Sequence, residues 1–98
     1  MAKVDKVAVL IKDADQQYEG LRTSLGLLLE AASVQMYVLN HEIKNMDEAY
    51  RDNMEFIDEM EGERYSNHPA NIEKYGFKSI TTEELLIKLK KVDLIIPF

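Results

Sequence analysis

Short apolar runs rich in β-branched residues alternate along this chain with segments whose apolar residues fall at helical spacing. That alternation restricts the fold more than any other feature. Residues 7–11 read VAVLI, a continuous run bounded by charge, as expected for a central strand covered on both faces. From residue 17 to 32 the period changes, and Leu21, Leu25, Leu28, Leu29 and Ala32 share one helix face. Residues 34–39, VQMYVL, return to a strand pattern. Met46, Ala49, Tyr50, Asn53, Phe56, Ile57 and Met60 then mark one side of a second helix. Its solvated side carries Asp47, Glu48, Asp52, Glu55, Asp58 and Glu59, and Gly62 is its expected stop.

The remainder repeats the pattern in smaller units. Residues 64–66 suffice for a short strand. Pro69 suits the first position of a two-turn helix, which makes His68 its N-cap and Gly76 its C-terminal stop. Residues 77–80 read as a fourth strand. Thr81 and Glu84 have the spacing of a capping box for a helix reaching about residue 92. In that helix Leu85, Leu86, Leu89 and Val92 face inward, and Lys88, Lys90 and Lys91 complement the dipole at its end. Residues 94–98, LIIPF, form a fifth strand whose Pro97 suits a strand end or an edge. The pattern specifies one α/β domain over residues 1–98: an open, mainly parallel five-stranded sheet with helices on both faces, right-handed crossovers and a flavodoxin-like order.

Composition removes several classes of function. A chain of 98 residues has room for one core, and with 46% hydrophobic and 31% charged residues it can fill that core and keep its surface wet, which excludes disorder. The formal net charge of -6, from 18 acidic and 12 basic side chains, repels a phosphate backbone, so nucleic acid is not an expected partner. The absence of cysteine removes disulfides, thiolate metal sites and a thiol nucleophile. The first apolar run is too short for a signal-peptide core, and no later stretch approaches the roughly 18 residues that cross a membrane. A soluble cytoplasmic chain with no membrane partner is the expectation.

In an open α/β sheet ligands gather outside the carboxyl ends of the strands. Those ends supply Lys12 and Asp13, then Asn40 and His41, then Ser66, Asn67 and His68, then Thr81 and Thr82. The candidate pocket is therefore Asp13, Asn40, His41, Ser66, Asn67 and His68, and it includes both histidines of the chain. Each has a purely structural reading: His68 before Pro69 can serve as a cap, and Asp13 with Asp15 as helix-starting acids. His41 beside Glu42 lacks the further ligands a zinc site needs, so no metal is expected. The loop KDADQQYEG lacks the repeated glycines that wrap a pyrophosphate, and no cofactor is implied. Ser66 and His68 do not form a nucleophile elbow. Leu27 and Ile87 fall off the inward stripes of their helices, which points to self-association.

These elements resemble the DsrE/DsrF-like sulfur-relay family of small cytoplasmic α/β proteins. The resemblance rests on KVAVLI, on YEGLRTSLGLLLEAA, on VQMYVL and on SNHPANIEKYGF, and spans nearly the whole chain. In catalytic members a cysteine at the end of the third strand carries sulfur as a persulfide and begins a helix that ends in an Arg-Gly or similar pair. Here Gly76 matches, Tyr75 stands for the basic residue, and the cysteine's place falls within Ser66, Asn67 and His68, none of which can hold a persulfide. The resemblance implies a homo-oligomer, trimeric or hexameric, and a cysteine-bearing relay partner, for a noncatalytic or regulatory subunit. Two alternatives stay open: an enzyme of unknown reaction using Asp13, His41 and His68 as polar groups, and a structural oligomer whose site has decayed.

Overall fold

The computed structural model describes residues 6–29, 33–44 and 46–98. Strand β1 (Lys6–Ile11) leads through a 3-10 turn at Ala14–Gln16 into helix α1 (Gln17–Leu28). Then follow β2 (Ser33–Val38), α2 (Glu48–Glu59), β3 (Glu63–Ser66), α3 (Pro69–Tyr75), β4 (Lys78–Ser79), α4 (Thr82–Leu89) and β5 (Leu94–Pro97). All strand pairings are parallel, and the sheet order is β4-β3-β2-β1-β5. The open, mainly parallel α/β sheet expected from the alternation is present, and every pairing in it is parallel. Its order departs from the flavodoxin order 2-1-3-4-5 in placing β5, rather than β3, beside β1.

That order decides where the helices lie. The chain steps outward from β1 through β2 and β3 to β4, so right-handed crossovers put α1, α2 and α3 on one face. The last connection returns past β1 and puts α4 on the other. Alternate strand residues separate the two cores accordingly. Val7, Val9, Ile11, Val34, Met36 and Val38 pack with Leu21, Leu28, Tyr50, Met54 and Ile57 on the three-helix face. Ala8, Leu10, Tyr37, Leu39, Tyr65 and Ile80 pack with Leu85, Leu89 and Val92 of the α4 side. Pairing aligns Ile11 with Val38, Val38 with Ser66, and Ser66 with Ser79, so the loops after four strands emerge along one edge of the sheet.

Local signals give the helix ends. The Thr81 side chain accepts from Glu84 N while the Glu84 side chain accepts from Thr81 N, closing the expected capping box. His68 caps α3, Pro69 opens it, and Gly76 ends it at φ 72, a left-handed conformation that costs a glycine nothing. At the end of α2 the left-handed residue is Glu61 (φ 65), not the expected Gly62, whose N–H closes the helix on Ile57 O at 2.8 Å. Gly20 has another role, since a Cβ there would lie 2.4 Å from the Ile11 side chain. It lets α1 rest directly on β1.

Several inward assignments need correction. Leu29, expected on the α1 stripe, follows the helix end and is 69% exposed, and Ala32 lies outside the described residues. Leu27, expected on an outer face, packs against the three-helix core. On α2 the buried residues are Tyr50, Met54 and Ile57, while Ala49, Phe56 and Met60 are exposed. The stripe is narrower than the spread of its apolar residues. Leu86 on α4 is 54% exposed, as is its neighbour Ile87 at 56%. Among the described residues no helix is long and apolar enough to cross a membrane.

Candidate functional site

The residues expected at the carboxyl ends form two groups. Asn40 and Asn67 join the ends of β2 and β3: Asn40 N donates to Asn67 Oδ1 at 2.8 Å, and Asn67 Nδ2 donates to Asn40 Oδ1 at 2.9 Å. Asn40 achieves this at φ 66, a conformation asparagine tolerates better than most side chains. Ser66 is fully buried; its hydroxyl donates to Val38 O at 2.7 Å and accepts from His68 N and from Asn71 Nδ2, both at 3.1 Å. His68 Nδ1 accepts from Ala70 N at 3.2 Å, as a helix cap does. Asp13 caps the 3-10 turn by accepting from Asp15 N at 2.9 Å. Asn40, Ser66, Asn67 and His68 thus form a clamp across β2, β3 and α3.

His41 belongs to the second group. A cavity of about 510 Å³ opens beyond the ends of β1 and β2, lined by Ala14, Asp15, Gln17, Tyr18, His41, Glu42, Ile43, Lys44, Asp47 and Tyr50. Of the six expected pocket residues, His41 is the one that lines it. The volume falls within the range of small-molecule sites. Gly20 seats the first turn of α1 against β1, which places Gln17 and Tyr18 on one wall. Asp47 starts α2 by accepting from Tyr50 N at 2.7 Å, and Tyr50 brings its ring to the cavity beside them. The Tyr18 and Tyr50 rings meet edge to face, 6.1 Å between centroids.

A chain of polar side chains forms the floor. His41 Nδ1 donates to Leu39 O at 2.9 Å, His41 Nε2 lies 2.6 Å from Gln17 Oε1, and Gln17 Nε2 donates to the Tyr50 hydroxyl. Burial pushes the Tyr50 phenol well above the usual tyrosine value, against the opposing pull of the Gln17 hydrogen bond and the Arg64 guanidinium. It remains a protonated hydroxyl throughout the neutral range. The rim is acidic: Asp15, Glu42 and Asp47 outnumber Lys44, and Glu42 also meets Lys74 of α3 at 3.4 Å.

Gln17 and Tyr50 escaped the strand-end reading because they sit on helices, not at strand ends. The available signals were a glutamine opening an aliphatic helix and a tyrosine on the inward stripe of an acidic one. The two groups meet at the fully buried Asn71, whose Oδ1 accepts from Ile43 N at 3.0 Å and whose Nδ2 donates to His41 O at 2.9 Å. The two histidine rings have separate partners and do not form a pair. Among the described residues no group of three or more His, Cys, Asp or Glu side chains is arranged to hold a metal ion.

No family model, curated protein or solved structure matches this chain.

Proposed function

We propose that this chain is a noncatalytic or regulatory DsrE-like subunit of a cytoplasmic sulfur relay, acting through assembly with other subunits. The supporting observation is the use made of residues 66–68. In the segment that the resemblance assigns to the sulfur-carrying cysteine, the Ser66 hydroxyl is buried and fully occupied, and His68 caps a helix. This segment fastens β3 to β2 and presents no nucleophile.

Exposed apolar residues support the assembly. Leu86 and Ile87 on α4 are more than half exposed, and Leu94 and Ile95 on the edge strand β5 nearly so. On α4, Leu86 and Ile87 stand one turn before Lys90 and Lys91. On the opposite face of the sheet, α2 has Asp52 one turn before Phe56, and Phe56 one turn before Met60. Set antiparallel, the two rows pair lysine with carboxylate and leucine with aromatic ring. Their occupant is a second copy of this chain, docked head to tail, a heterologous contact that gives a ring where its rotation closes. Native mass spectrometry of the protein taken directly from extract tests the assembly, with a ring or a complex with a cysteine-bearing relay protein as the expected species. A monomer at every concentration, with no such partner retained, overturns it.

The cavity supports a second reading, a small-molecule site at the ends of β1 and β2. Aromatic rings and a part-buried polar chain line it, the composition of a ligand pocket.

A further inference from the structure

The His41–Gln17–Tyr50 chain can carry its hydrogen bonds in either of two directions. His41 Nδ1 is fixed as a donor by the Leu39 carbonyl, so the state of Nε2 sets the direction. With a neutral ring, Nε2 accepts; the Gln17 amide must then turn its nitrogen toward His41 and its oxygen toward Tyr50, whose hydroxyl donates to it. With a protonated ring, Nε2 donates to Gln17 Oε1, Gln17 Nε2 donates to the Tyr50 oxygen, and the Tyr50 proton is released from the chain. An amide has nearly the same shape in both orientations, so the packing admits both.

Gln17 Oε1 is placed toward His41 and Gln17 Nε2 toward Tyr50, the amide orientation that the second arrangement uses, and the Tyr50 hydroxyl has no acceptor among the described residues. Tyr50 lines the cavity and is 2% exposed. A buried donor without an acceptor is costly. A molecule in the cavity that brings an acceptor removes that cost.

We propose that the cavity binds a small neutral molecule with a flat apolar body and a hydrogen-bond acceptor such as a carbonyl, and that protonation of His41 frees the Tyr50 hydroxyl to meet it. The proposal rests on reading the cavity as a ligand site. Tyr18, Tyr50 and Ile43 supply apolar walls for the flat body. The charges facing His41 are Asp15 from the 3-10 turn, Glu42, Lys44 and Asp47 from the connection between β2 and α2, and Lys74 of α3 through Glu42. The phenols are Tyr18 and Tyr50. The acidic excess of this rim disfavours an anion, and a cationic amine brings no acceptor for Tyr50.

Benzamide, benzoate and benzylamine share one ring and differ in charge, so titrating the full chain with each and following amide and aromatic NMR shifts separates these features. Benzamide is expected to shift Ile43, Tyr18 and Tyr50 signals and to bind roughly fivefold more tightly at about pH 5.5 than at about pH 8. Tyr50→Phe, which keeps the ring, is expected to weaken binding about tenfold at the lower pH and to abolish the pH dependence. His41→Gln is expected to leave binding independent of pH, with melting curves confirming that both variants fold. Equal benzamide affinity at the two pH values, or unchanged behaviour of Tyr50→Phe, overturns the relay and leaves the cavity reading standing. Preference for benzoate or benzylamine overturns the ligand class alone. Absence of cavity shifts with all three probes overturns the cavity reading, and the proposal with it.

Discussion

Asn71 and Ile43, 28 residues apart in sequence, are joined by a buried hydrogen bond of 3.0 Å from Ile43 N to Asn71 Oδ1. The same side chain donates to His41 O and to Ser66 Oγ, so one asparagine holds the cavity loop, the end of β3 and the first turn of α3 together. Asn71→Ala leaves the Ile43 donor and the His41 and Ser66 acceptors without that partner. The expected loss is about 2–4 kcal/mol of folding stability, measured by urea denaturation, with faster hydrogen exchange at the Ile43 amide. A loss below about 1 kcal/mol would mean that water replaces the asparagine without difficulty.

Helix α1 approaches β1 most closely at Gly20. A methyl group there would press on Cγ1 and Cδ1 of Ile11, a residue with no exposure and therefore no free volume to move into. Alanine improves helix propensity by about 1 kcal/mol, but overpacking costs roughly 1–3 kcal/mol, so the steric effect prevails. Gly20→Ala is expected to lower the melting temperature and to shift the NMR signals of Gln17 and Tyr18 as the first turn of α1 lifts. Gly26→Ala, with nothing within 4 Å of the added carbon, is the control and should be neutral or stabilising.

The sequence shows the layered architecture because periodicity reports burial directly: VAVLI reads as doubly covered, and residues 7–11 are buried throughout. Caps are equally visible, since His68 and the Thr81–Glu84 pair act through side chains within four residues of their targets, and Gly76 acts through a backbone conformation that glycine adopts freely. Strand order is not visible in this way, because placing β5 beside β1 depends on long-range packing. The exposed Phe56, Met60 and Leu86 depart from the inward pattern for the same reason: each is apolar and close to an inward stripe, and only the tertiary partner distinguishes it. The candidate site divides on that line. Strand ends indicate Asn40, Ser66 and His41, but Gln17 and Tyr50 reach the cavity from helices.

Three tyrosines connect stability to alkaline pH. Burial comes first in raising the Tyr37, Tyr50 and Tyr65 phenols well above the ordinary value; nearby Tyr65 and Glu63 add to it at Tyr37, and the Glu63 hydrogen bond and charge add to it at Tyr65. The folded state keeps these protons where the unfolded state loses them, so the unfolded state binds fewer protons once pH passes about 10. The stability that these phenols contribute is therefore constant below that point and falls above it. Each phenol contributes a slope of at most about 1.4 kcal/mol per pH unit. Urea denaturation between about pH 8 and 11.5 should show this decline, with tyrosinate absorbance from these residues rising together with unfolding. Full tyrosinate absorbance in a chain that is still folded would contradict it.

The head-to-tail contact proposed between α4 and α2 can be tested by charge changes in which one reverses another. Lys90→Glu with Lys91→Glu puts carboxylates against Asp52 and the acidic side of α2, so assembly should weaken, most clearly at low salt where screening is least. Asp52→Lys with Glu55→Lys should weaken it in the same way. Mixing the two variants restores opposite charges at the contact between unlike chains only. Two heterologous surfaces alternating around a ring should then give mixed assemblies with an even number of subunits, whereas each variant alone assembles less than the parent chain. Mass photometry at about 50 mM and about 500 mM salt reads both effects, since the Debye length falls below the reach of these side chains at the higher value. If the basic variant and the acidic variant each assemble as well as the parent chain, then Leu86, Ile87 and Phe56 are covered by something other than this pairing.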